Sequence, residues 1–357
     1  MSVRSRGVVI TALLAASACS AGAKVHTAAS TSTTTTSTTA TVAPTTTAVP
    51  TGPAAPLTGL PTSNDQALTL FRPALAVKVD NSLEAMPQSG LNAADIVIEI
   101  KVEGISRLMV VFQSHDAGQV GPTRSARYSD PNILALFGKP LFGWSGANDG
   151  VTSAVSAAPW IVNVNWDRVG AGEYYRRSGH PAPHNLYTST TTLYRHAQQG
   201  QQPPPAQFTY LSPGATTAGA SPAAGVSLTV GDTPSSWVWD AATTSWLRWQ
   251  YGVRDRDEAS GQVSAANVVI LATRYGGGSL TPTALTVGSG HAIVLSNGSM
   301  VEGTWNRPSI SSQYRLTGPD GQPIGLTPGR TWIELTPGAT SHVLSPETAS
   351  GLLSSGR

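Results

Sequence analysis

The chain has 357 residues, room for two ordinary domains, and carries a formal charge of +2 at pH 7. With so small an excess, and with basic residues scattered rather than clustered, no nucleic-acid partner is expected. Charged residues make up only 12% of the chain, and Gly 36 with Pro 26 promises many turns.

In chain order, the first element is a targeting segment. Arg4 and Arg6 form a basic start, and Gly7 to Ala16 form an apolar stretch too short to span a bilayer. Ala16-Ser17-Ala18 precede Cys19, the only cysteine. Small residues before a lone cysteine fit a lipobox, with Ala16 where Leu is usual. Cleavage before Cys19 then exposes a thiol for acylation, and several acyl chains anchor a protein stably. The same three residues also satisfy an ordinary A-x-A cleavage site. The reading is therefore a lipoprotein signal peptide over 1–19, lipidation (palmitate) at Cys19, and attachment to the outer face of the cell membrane. A Ser/Thr/Pro/Ala tether follows over 20–56, with too little apolar surface to order itself.

From Leu57 the pattern changes. Ala74 to Val79, Asp95 to Val102 and Arg107 to Gln113 predict strands, the last two joined by a hairpin turn around Glu103-Gly104-Ile105-Ser106. A helix is expected from Ser129-Asp130-Pro131, with a capping residue and an early Pro, then a strand over Leu141 to Trp144. Helical segments are expected near Asp149 to Ala158 and Asn185 to Gln198. Residues 201–225, which include Pro203-Pro204-Pro205, read as a linker or a long loop. After Val226 nearly everything reads as short strands, separated by turns such as Asn297-Gly298 and Pro328-Gly329. The expected fold class is α+β. A mixed-sheet N-terminal domain with flanking helices (57–200) precedes a smaller, mostly antiparallel β C-terminal domain (226–340) and a tail (341–357).

Several stretches, taken in order, carry a resemblance. They are Pro56-Leu57-Thr58-Gly59-Leu60, Pro87-Gln88-Ser89-Gly90-Leu91, Ala94-Asp95-Ile96-Val97, Gly121-Pro122-Thr123-Arg124-Ser125-Ala126-Arg127, Ala182-Pro183-His184-Asn185-Leu186-Tyr187, Gly303-Thr304-Trp305-Asn306-Arg307-Pro308 and Pro328-Gly329-Arg330-Thr331-Trp332-Ile333-Glu334. The set resembles the YerB-like lipoproteins, whose paired N- and C-terminal domains (domain of unknown function 3048) have no established reaction. The resemblance implies an envelope lipoprotein and supplies no catalytic residues. A strand with Asp95, then Arg107-Leu-Met-Val-Val-Phe, then a loop with paired arginines is also similar to LytR-CpsA-Psr domains. That similarity implies a polyprenyl-phosphate or cell-wall ligand.

Arg124 and Arg127 stand three apart in a loop, with Ser125 between them and a helix start just beyond, a pattern that suits phosphate or carboxylate. Pairing with Asp80, Asp95 or Glu99 is the competing expectation. Asp80 and Asn81 end a strand, and His184 lies in a loop with Arg176, Arg177 and His180. Glu99, Lys101 and Glu103 share a strand face by period-two spacing. Pro181 and Pro183 argue against His180 and His184 as a helical metal pair. No P-loop, dinucleotide fingerprint, zinc motif or serine elbow is found, so no cofactor and no metal is expected. The tryptophans after 226 suit either core packing or a glycan-stacking surface. The leading expectation is non-enzymatic binding of an anionic envelope ligand by Arg124, Arg127, Ser125, Asp80, Asn81 and His184; the alternatives are a wall-polymer transferase or phosphate-handling enzyme and a non-catalytic interaction scaffold.

Overall fold

The computed structural model describes residues 52–212, 214–338 and 340–355. The signal peptide, Cys19 and the tether as far as residue 51 lie outside the described residues.

The first half supplies β1 (Leu75–Asp80), β2 (Ile96–Lys101), β3 (Ser106–Phe112), β4 (Leu141–Gly143) and β5 (Val162–Asn163). It also supplies a separate two-stranded ribbon of β6 (Tyr174–Arg176) and β7 (Leu186–Thr188). The second half supplies β8 (Gly225–Val230), β9 (Thr233–Asp240), β10 (Ser245–Gln250), β11 (Asn267–Gly276), β12 (Gly288–Ser296), β13 (Ser299–Arg307), β14 (Arg315–Thr317) and β15 (Thr331–Pro337). The apolar runs of β1, β2 and β3 are buried on both faces, as strands in a covered sheet must be.

Both halves contribute to one twelve-stranded sheet, ten strands of which run in the order β14-β13-β12-β11-β15-β2-β3-β1-β4-β5, while the short strands Ser221–Pro222 and Thr283–Leu285 pair with β13 and β11 off this path. The pairings β2 with β15 and β15 with β11 are parallel, so a strand from near the C-terminus joins the halves. A second, antiparallel sheet built on β8, β9 and β10 covers one face, burying Val97, Val110, Ile270 and Trp332 against Val226, Trp237 and Trp246. The opposite face packs Ile98, Met109, Val111 and Ile333 against α1 (Asp130–Leu134), α2 (Asp149–Ala157) and the segment around Leu316, Ile324 and Leu326. The structure is thus mixed α/β with few helices, with the mixed sheet in the first half and antiparallel strands dominating the second.

Local chemistry explains the turns. Gly104 has φ +74° in the β2–β3 turn, and Asn297 and Gly298 have φ +46° and +70° between β12 and β13, left-handed positions that suit these residues. Asn148 caps α2 by accepting from the Val151 amide at 2.9 Å.

Three expectations are corrected. Ser129 does not cap α1; its hydroxyl accepts from the Ala284 amide at 2.8 Å. Residues 185–198 are not one helix: Leu186–Thr188 pair with β6, and only Thr190–Tyr194 are helical, capped by Ser189. Glu99 and Glu103 do not share a face, because β2 ends at Lys101 and the turn carries Glu103 toward Arg127. The stretch over 201–225 is held at two consecutive residues: Tyr210 donates to the Leu57 carbonyl at 2.6 Å and the Leu211 amide to the Leu326 carbonyl at 2.8 Å.

Candidate functional site

β1 delivers Lys78 and Asp80 to one face of the large sheet and Val77 and Val79 to the other. Arg107, at the start of β3, stands directly opposite Asp80 across the antiparallel pair. The segment after Gly121 runs alongside β1: the Asp80 amide donates to Pro122 O at 2.9 Å and the Arg124 amide to Lys78 O at 2.9 Å. Gly121 permits this approach, since at φ +151° a Cβ there would lie 2.9 Å from Leu186 O. Arg124, Ser125 and Arg127 are therefore held by backbone pairing at the end of the sheet.

Asp80 is fully buried and serves as the hub. Its Oδ2 accepts from Arg124 Nε at 2.8 Å and from His184 Nδ1 at 2.7 Å, while Oδ1 accepts from the Ser82 amide at 3.2 Å. Burial opposes its ionisation, but Arg124, His184 and Arg107 outweigh burial and hold the carboxyl below its ordinary pKa. Ser82 Oγ lies 3.1 Å from the same His184 Nδ1, so these three residues do not form a nucleophilic triad, which needs both ring nitrogens.

Arg124 uses only Nε in this pairing, and neither Nη atom makes a hydrogen bond among the described residues. Arg127 is committed: Nε and Nη2 donate to Glu103 Oε2 at 2.9 and 2.5 Å, and Nη1 donates to Ala126 O. Arg107 is nearly buried. Its Nη1 donates to Ser125 O at 3.1 Å, its Nε has no partner among the described residues, and none of the described carboxylate oxygens lies within 4.0 Å of it. Burial, then the charge of Arg127, pulls Arg107 down to about 10. Lys78 is fully buried against Asp130, with Nζ 2.8 Å from Oδ1. Burial lowers its pKa in spite of that partner, helped by Arg107 and Arg127.

The structure thus brings Asp80, Arg124 and His184 into direct contact and adds Arg107, which a lone basic residue in an apolar strand did not reveal. Asn81 is excluded by strand alternation: it faces the second sheet, where Nδ2 donates to Ser106 Oγ at 2.8 Å and Glu99 Oε1 at 3.3 Å. Arg127 and Ser125 line a cavity of about 290 Å³ with Glu103, Tyr128, Asn148 and Thr281, and Arg124 and His184 are not part of its wall. A tryptophan stacking surface does not form, since Trp237, Trp246, Trp249, Trp305 and Trp332 are buried in the core and Trp239 alone of the six is half-buried.

Four cations (Lys78, Arg107, Arg124, Arg127) meet four carboxylates (Asp80, Glu84, Glu103, Asp130), and among them Arg107 and the Nη fork of Arg124 are the groups not engaged by a carboxylate among the described residues.

Residues 57–202 match the model described as Protein of unknown function (DUF3048) N-terminal domain, and residues 226–333 match its C-terminal domain. A protein of Bacillus subtilis (strain 168) named "Putative lipoprotein YerB" is 40% identical over 149 residues, 41% of this chain and 43% of that one. The matched stretch therefore spans less than half of that relative. The crystal structure of YerB protein from Bacillus subtilis aligns with a TM-score of 0.71 at 25% identity, over 82% of this chain and 99% of that chain. With both of its domain models matched in order, the chain belongs to the DUF3048 family of proteins of unknown function.

Proposed function

We propose that this chain is a lipoprotein anchored through acylated Cys19 to the outer face of the cell membrane, and that its folded part binds an anionic ligand of the envelope, a lipid phosphate or a wall polymer. The homologue named as a lipoprotein and the leader with its single cysteine support the anchor. One observation carries the ligand: among the described residues Arg124 meets Asp80 through Nε alone, leaving its Nη fork open, and Arg107 has no carboxylate within 4.0 Å. A planar fork with open donors suits a phosphate or carboxylate group.

Native mass spectrometry of the full-length protein in detergent tests this, against envelope lipids and against soluble wall fragments as separate arms. Binding in either arm that falls at least tenfold in Arg124→Ala supports the site and names the source. Equal binding by wild type and Arg124→Ala removes it. A non-catalytic scaffold is the second reading, favoured by the full commitment of Arg127 to Glu103 and Ala126.

A further inference from the structure

We infer that His184 is a general base and that the site cleaves the anion it binds, a phosphodiester; the inference rests on the anion site proposed above. The imidazole and Arg124 share one acceptor, Asp80 Oδ2, so the ring and the open guanidinium fork are immediate neighbours. A carboxylate can only accept, and Asp80 is held ionised by Arg124 and His184. Nδ1 therefore carries a proton, and whenever the ring is neutral its lone pair lies on Nε2. Nε2 makes no hydrogen bond among the described residues, and it is not among the buried atoms left without a partner. An imidazole oriented by a buried carboxylate, with its other nitrogen free, is the arrangement in which a histidine takes a proton and is stabilised as imidazolium. The groups around it are Asp80, Arg124, Ser82 and the exposed Glu84.

The donors of the cluster fit the substrate. The two Nη groups of Arg124, which make no hydrogen bond among the described residues, suit the two non-bridging oxygens of a phosphodiester. The guanidiniums of Arg124 and Arg107 would then carry the charge that builds on the phosphoryl oxygens during attack. In the step, Nε2 takes a proton from water as the water oxygen bonds to phosphorus. The P–O bond to one alcohol breaks, and the imidazolium returns the proton to the departing alkoxide. The products are one phosphomonoester and one alcohol.

The test uses full-length protein in detergent with bis(p-nitrophenyl) phosphate as substrate and inorganic phosphate as binding probe. The discriminating variant is His184→Asn, whose amide N–H can replace Nδ1–H on Asp80 but which has no base at the Nε2 position. Expected is turnover by wild type, a loss of about 10²- to 10⁴-fold in His184→Asn, and phosphate binding unchanged within about threefold, with the acid limb of the wild-type pH–rate profile absent from the variant. His184→Gln, with an unchanged melting temperature, is expected to show the same loss. Equal turnover in wild type and both variants would overturn the base. Absence of turnover with phosphate bound would overturn the cleavage and leave the binding site standing. Absence of both turnover and phosphate binding would overturn the two together.

Discussion

Glu334 on β15 lies directly beside Glu99 on β2, and both side chains are fully buried where the two halves of the large sheet join. Glu99 is occupied: Oε2 accepts from Arg248 Nη2 at 2.6 Å and Oε1 from Ser106 Oγ at 2.6 Å. Glu334 Oε1 accepts from Trp237 Nε1 at 2.8 Å. Burial, then the charge of Glu99, raises Glu334 well above the ordinary carboxyl pKa. The fold therefore favours its protonated form, lodged beside an ion pair.

A raised acid in the folded state makes stability fall as pH rises. Below the ordinary carboxyl pKa both states are protonated and nothing is lost. Above it the unfolded chain releases the proton, the folded chain does not, and the loss grows until the pH passes the folded-state pKa. Glu334→Gln keeps the acceptor for Trp237 and removes the titration. Urea unfolding at pH 5 and pH 8 is expected to show a smaller drop in the variant than in wild type. An equal drop in both would mean that Glu334 is ionised in the fold.

Arg248 supports the same junction from the covering sheet. It is fully buried, donates to Glu99 and Asp255, and lies 4.8 Å from the Trp332 ring centre. Arg248→Met would strand two buried carboxylates, and the expected cost is about 3–5 kcal/mol in denaturant unfolding. A cost under about 1 kcal/mol would show that water or protonation relieves them.

At the candidate site, Arg124→Lys keeps the charge and discards the fork. The expected result is a loss of about tenfold in phosphate affinity by calorimetry, roughly 1.4 kcal/mol, with little change in melting temperature because the side chain is partly exposed. Arg127→Lys is expected to leave affinity within about twofold, since its donors already serve Glu103 and Ala126. The reverse ranking would move the ligand into the cavity beside Arg127.

Much of the fold was legible because its signals are local. Ala74 to Val79, Asp95 to Val102 and Arg107 to Gln113 read as strands from runs of apolar residues, and each overlaps an observed strand. The turn at Asn297-Gly298 follows from residues that tolerate positive φ. Partnerships between distant strands were not legible: nothing in Thr331-Trp332-Ile333-Glu334 says that it sits between β2 and β11. At the site, Asp80 and His184 were found as loop-edge polar residues. Arg107 was missed because its meaning depends on standing opposite Asp80, a register that only the folded sheet supplies. Asn81 was misplaced for a related reason, since alternation sends consecutive residues to opposite faces.

Asp80 offers the sharpest pH test of the cluster. Its pKa is lowered in the fold although burial works against that, because Arg124, His184 and Arg107 all favour the carboxylate. A lowered acid contributes stability that is present above the unfolded-state pKa and is lost as pH falls through the folded-state value. Asp80→Asn keeps a carbonyl acceptor but no charge, and the expected cost at pH 7 is about 1–3 kcal/mol. The gap between variant and wild type should close as pH is lowered below the ordinary carboxylate range, where Asp80 itself becomes neutral. Denaturant midpoints measured from pH 7 down to pH 1 check this. A gap that stays constant across that range would mean that Asp80 is held by packing alone, and that Arg124 and His184 are not gathered around a negative charge.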